Sequence, residues 1–215
     1  MSINGFGVGT SFNMKYRDDI LKSILAGMAI GIGATIFLSV DNKIIGAVLF
    51  AVGLYIICTQ GLNLYTGKVG YLVVNKDSKA YLGYLLIVWI GNLLGTFLSA
   101  LLLSLTRINI CEKALNICLI KNNDTYMSLF ILAIFCGILM YAAVDGYKKC
   151  NNPIILIFCV AVFILCGFEH SIADMAYYFI ATSFNLDALI RIIVISVGNG
   201  IGGILIPLLK REYEL

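Results

Sequence analysis

Uncharged and mostly apolar residues run in six long blocks along this chain. They extend from Ser23 to Val40, Ile44 to Gly67, Ala80 to Thr106, Thr125 to Val144, Asn151 into the 180s with an interruption, and Ile192 to Leu209. About 20 such residues cross the hydrocarbon core of a bilayer as helix, so the pattern predicts six membrane-spanning helices. An outer-membrane barrel would show segments of about ten residues alternating in polarity, and these Leu, Ile, Val and Gly runs do not alternate. The expected fold class is an all-α integral membrane bundle forming a single domain over residues 1–215.

The blocks repeat. Block three contains Gly91-Asn92-Leu93-Leu94-Gly95 and block six contains Gly198-Asn199-Gly200-Ile201-Gly202, so Gly-Asn-x-x-Gly recurs at an interval of 107 residues. Blocks one and four start at a similar separation, which divides the chain into a repeat over about 15–107 and another over about 121–211. Three spans per repeat is an odd number, so the second copy crosses the membrane in the opposite sense. Such 3+3 inverted repeats are a common transporter and channel plan. The Gly-x-x-x-Gly spacing in each third span also allows close backbone approach between helices.

Blocks two and five are broken at matching places. The first break is Thr59-Gln60-Gly61-Leu62-Asn63-Leu64-Tyr65-Thr66-Gly67 and the second is Cys166-Gly167-Phe168-Glu169-His170-Ser171, with Thr66 and His170 separated by 104 residues. Paired helix interruptions point to the permeation site of an inverted-repeat protein. After each break a new helix is expected, with Ser171 and Asp174 forming a capping box and Thr66 capping the other segment. Helix N-termini turned toward mid-membrane suit an anion.

Composition adds weight to this picture. The apolar share is 60%, charged residues make up 13%, and mean hydropathy is +0.96, which excludes an ordinary soluble domain. The first twenty residues show no cleavable signal pattern. Placing both termini in the cytoplasm puts Lys15, Arg17, Lys22, Lys68, Lys76, Lys79, Lys148, Lys149, Lys210 and Arg211 inside, and Lys43, Arg107, Lys113, Lys121 and Arg191 outside. This positive-inside bias predicts a multi-pass protein of the cytoplasmic (inner) membrane. It accounts for the net charge of +3 without a nucleic-acid partner.

The one histidine, His170, lies at a break beside Glu169. Ionisable groups at that depth mark pathways or proton relays, and imidazole changes charge near neutral pH. Asp174, one turn on, is a candidate to raise its basicity, while Glu169 is expected to support the break by bonding backbone or a basic residue. The seven cysteines form no Cys-x-x-Cys pair, and neither a metal site nor a cofactor is expected. Cys111 and Cys118 share the longest external loop, which leaves a disulfide between them open.

Gly167-Phe168-Glu169-His170-Ser171-Ile172-Ala173, Leu64-Tyr65-Thr66-Gly67 and Gly198-Asn199-Gly200-Ile201-Gly202-Gly203 resemble motifs of the formate/nitrite transporter family. The resemblance covers all six spans. It implies an aquaporin-like bundle assembled as a homopentamer in the lipid bilayer, with a pore in each protomer for formate, nitrite or hydrosulfide and for protons. By motif position, Thr66, His170 and Asn199 become the central polar groups. Phe50, Leu54 and Phe163 form the outer constriction, Leu64 forms the inner one, and Lys121 attracts anions from its external loop. The alternatives are lipid-facing or packing bulk for the apolar side chains, and simple solvation for Lys121. Two positions depart from the family: Cys136-Gly137-Ile138 stands where Cys-Asn-Trp is usual, losing a pore-side amide, and Asp174 stands where Asn is common.

Other classes fit less well. An aquaporin-like neutral-solute channel would carry Asn-Pro-Ala twice, and only Pro153 and Pro207 are present. An intramembrane enzyme is the second alternative, but His170 and Ser171 are adjacent and point about 100 degrees apart on a helix, and no protease metal motif occurs. No enzymatic activity is therefore expected.

Overall fold

The computed structural model describes residues 7–213, with side chains placed for 16–210, so Lys15 and Arg211 lie outside the described side chains. Among the described residues the chain is helical throughout: α1 (Gly7–Ser39), α2 (Lys43–Thr59), α3 (Tyr65–Lys68) continued by a 3₁₀ turn (Val69–Leu72), α4 (Ser78–Ser104), α5 (Cys111–Asn123), α6 (Tyr126–Cys150), α7 (Pro153–Cys166), α8 (Ser171–Ile180) and α9 (Leu186–Tyr213). Among the described residues four helices are long and apolar enough to cross a membrane: Tyr16–Ser39 of α1, α4, α6, and Leu186–Lys210 of α9. The pair α7 and α8 passes the same test together, bent by 61° at the break, and α2 is a shorter apolar helix.

Local chemistry sets the boundaries. Asn42, Asp77, Thr125 and Asn152 cap α2, α4, α6 and α7 through side-chain oxygens, and Pro153 occupies the first turn of α7 where its missing N–H costs nothing. Both breaks open on a glycine in the left-handed region, Gly61 at φ 63° and Gly167 at φ 71°, conformations that a Cβ would penalise. The breaks are thus written into matching glycines as well as matching polar groups.

Packing follows the same correspondence. Helix α1 packs on α4 and α2, α6 packs on α9 and α7, and α2 meets α7 at the centre. Gly95 and Gly202 make the tight contacts: a Cβ on Gly95 would collide with the Ile24 carbonyl, and one on Gly202 with the Ile134 carbonyl. Each is the last glycine of its Gly-Asn-x-x-Gly motif, as the close-approach reading of those motifs requires. Outward-facing Leu, Ile, Val and Phe side chains, such as Leu86, Phe158 and Leu102, clothe the bundle and suit lipid contact.

Two expectations need correction, and the disulfide left open between Cys111 and Cys118 is absent. Residues 111–123, read as an external loop, form the helix α5, tethered to the α1–α2 turn by Lys113 and Asp41 at 2.9 Å. The Lys113 ammonium holds the Asp41 carboxyl below its ordinary range. Cys111 and Cys118 are both free thiols. Seven residues along one helix separate their Cα atoms by about 10 Å, beyond disulfide reach. The segment after the first break is only the four-residue turn α3 and a 3₁₀ turn, so the two half-helices are unequal.

Candidate functional site

His170 and Thr66 meet, with imidazole Nε2 and hydroxyl Oγ1 2.8 Å apart and both residues buried. The ring's other nitrogen, Nδ1, accepts the Ala173 backbone N–H at 3.1 Å, making His170 the cap of α8. That acceptor role leaves Nδ1 without a proton, so the neutral ring carries its hydrogen on Nε2 and donates it to Thr66. The expected capping box is therefore displaced by one residue: Ser171 is the first helical residue, and Asp174 points away to Lys121. The reason is geometric, since the imidazole nitrogen attached to Cγ reaches the orphan amides as an Asn oxygen would.

Thr66 does not cap α3 either. Leu64 precedes that turn without a side-chain cap bond, and the Tyr65 N–H is instead received by Asn92 Oδ1 at 2.9 Å. Asn92 also donates through Nδ2 to the carbonyls of Ser23 (2.7 Å) and Asn63 (2.9 Å). Asn199 repeats this bonding at the other break, accepting the Ser171 N–H at 2.9 Å and donating to Ala133 and Glu169 carbonyls at 2.9 and 2.8 Å. Each motif asparagine thus satisfies the loose backbone of one break, which the interior could not otherwise tolerate. Asn92 was visible in the same motif as Asn199 and shares its bonding.

The aromatic groups stack against this centre. Phe163 lies on His170 with centroids 5.4 Å apart and planes 20° apart, and Phe50 meets Phe163 edge-on at 6.0 Å. Phe50, Leu54, Leu64 and Phe163 are all buried. Two cavities flank the pair. One of about 190 Å³ is lined by Phe163, His170, Lys121, Glu169 and Asp174 among others, and one of about 240 Å³ on the opposite side is lined by Leu64, Gly67, Cys58, Lys68 and Lys148 among others.

Lys121 is buried, and its ammonium sits between two carboxylates, Glu169 and Asp174, the latter at 2.8 Å. Glu169 thus bonds a basic residue, as expected, whereas Asp174 serves Lys121 rather than His170. Arg191 fixes this corner by donating to the carbonyls of Lys121 (2.8 Å) and Asp124 (2.9 Å). The burial of Lys121 was legible: Ala114, Cys118 and Lys121 share one helical face and all are buried. Gly137 leaves no hole where the family amide would stand, because the Asn199 backbone fills that space, with its carbonyl carbon 2.9 Å from a would-be Cβ.

The sequence pattern of the family described as Formate/nitrite transporter matches residues 8–211. The formate channel FocA of Escherichia coli K12 is 28% identical over 151 residues, covering 62% of this chain and 52% of that protein, so the chain spans about half of that relative's length. The nitrite transporter NirC of the same organism is 25% identical over 178 residues, covering 74% of this chain and 66% of NirC. An uncharacterized Bacillus subtilis transporter, YwcJ, is 26% identical over 86% of this chain and 84% of its own length. The solved structure of a pentameric formate channel with formate bound superposes with TM-score 0.82 at 24% identity, covering 93% of this chain and 97% of that one. With its helix breaks, its buried Thr66–His170 contact and a match that runs nearly end to end, the chain belongs to the formate/nitrite transporter family.

Proposed function

We propose that this protein is a homopentameric pathway of the cytoplasmic membrane for small monovalent weak-acid anions such as formate, nitrite or hydrosulfide, with both termini cytoplasmic and transport linked to protons through His170. Its halves act as a 3+3 inverted repeat, a reading supported by the matched asparagine clamps and helix pairings. Anions enter a vestibule, pass the apolar ring of Phe50, Leu54 and Phe163, and meet Thr66 and His170. There the approaching anion favours uptake of a second proton by the imidazole, which hands one proton to the anion and is left neutral, and the neutral acid passes Leu64. A neutral species crosses an apolar constriction at far lower cost than its anion, because desolvating a charge is expensive.

One observation carries this reading. The chain's single imidazole stands on Thr66 between two cavities, with its only N–H turned toward the hydroxyl. His170→Asn tests it well, since the Asn oxygen preserves the cap on Ala173 while removing Nε2. In liposomes between pH 5 and 8, anion flux through the variant should fall at least tenfold and lose its pH dependence. Unchanged flux with an unchanged profile would overturn the proton role. Large water flux with no anion flux would overturn the anion pathway itself.

A further inference from the structure

The two cavities carry different charge. On the side of Lys121, four charged side chains line the cavity, Lys43, Lys121, Glu169 and Asp174, and their formal charges cancel. Lys121 is itself engaged by both carboxylates. On the side that chain connectivity gives to both termini, Lys68 and Lys148 line the cavity with no acidic neighbour in its wall. Neither lysine forms an ion pair among the described residues. Of the acids nearby, Asp145 holds Lys149 at 2.7 Å, and Asp19, which accepts from Asn63 at 3.2 Å, shares a separate cavity with Lys68 and offsets part of its charge from outside the Lys68–Lys148 wall. Lys148 rests over the Tyr71 ring at 4.1 Å, an aromatic face that positions the ammonium without neutralising it.

We infer that Lys68 and Lys148 form a small-anion binding site at the mouth beside Leu64, so that anions reaching the pathway from the terminus-bearing face are concentrated there, as they are not at the charge-balanced Lys121 face. Lys68 is half-buried and Lys148 is exposed, and the apolar part of the cavity wall focuses their field into it. Asp174 strengthens the contrast, because it adds a second carboxylate to the one cation buried in the opposite mouth. This inference deepens the reading of the protein as an anion pathway and rests on it for the identity of the ligand.

Cys58 lines the same cavity and reports its potential. The experiment uses the full chain in liposomes with its other six cysteines replaced by Ser or Ala, and compares the rates at which an anionic sulfonatoethyl and a cationic trimethylammonioethyl methanethiosulfonate modify Cys58. Relative to a simple thiol, the anionic reagent should be favoured on the order of tenfold, as two nearby ammonium charges require. Lys68→Gln with Lys148→Gln should abolish that preference, and Lys68→Arg with Lys148→Arg should retain it. A ratio equal to that of the simple thiol, or one indifferent to the double Gln substitution, overturns the site even where formate flux persists. A preserved preference in a chain that carries no formate supports the basic site and overturns the transport reading instead.

Discussion

At the scale of single residues, the centre is held by side chains that serve the backbone first. Asn92 and Asn199 each join three backbone groups, and each such group left buried and unpaired costs about 1–3 kcal/mol. Asn92→Leu and Asn199→Leu should therefore both lower the unfolding temperature in detergent by similar amounts, several degrees or more, and both should reduce flux. A variant at 199 that changes flux with no loss of stability would show instead a role confined to the pore lumen. The paired breaks singled out Thr66 and His170 by their spacing and the family motifs made them the central polar pair, and in the structure the two side chains stand 2.8 Å apart. The Lys121–Asp174 bond was not legible in that way, because it joins two elements whose relative placement no local pattern encodes. The displaced cap had a similar origin: propensity favours Ser at that position, and tertiary packing brought an imidazole to the same amides.

At the scale of elements, helix-to-helix distance is set where glycines meet carbonyls. Gly95 touches α1 at Ile24 and Gly202 touches α6 at Ile134, and neither contact has room for a methyl group. Gly95→Ala and Gly202→Ala should each destabilise the protein by about 1–3 kcal/mol, read as a drop in thermal stability and in recovered folded protein. Gly83, also in α4, has open space around it, so Gly83→Ala should be neutral or slightly stabilising through better helix propensity. Equal behaviour at positions 83 and 95 would contradict the contact. The unequal half-helices belong to this scale as well. Only Tyr65–Lys68 and the 3₁₀ turn Val69–Leu72 follow the first break, and there Gly67 and Gly70 lie against Val144 and Tyr141 of α6.

At the scale of the whole molecule, a bundle clothed in aliphatic side chains carries its polar groups inward and at its two ends. Native mass spectrometry from lipid nanodiscs should give five times the 23.5 kDa chain mass, and a stable monomer conducting anions at full rate would contradict the pentamer. The bond from Ala173 to His170 also bears on energy conservation in the membrane. A wire for bare protons needs each ring to accept on one nitrogen and release from the other, yet here one nitrogen is committed to the helix. While that bond holds, Nδ1 takes up no proton and the ring's one hydrogen stays on Nε2 against Thr66, so charging the ring means releasing Ala173. Under the proposed function, the helix cap thus restrains the ring from relaying bare protons when no anion is there to favour its charged form.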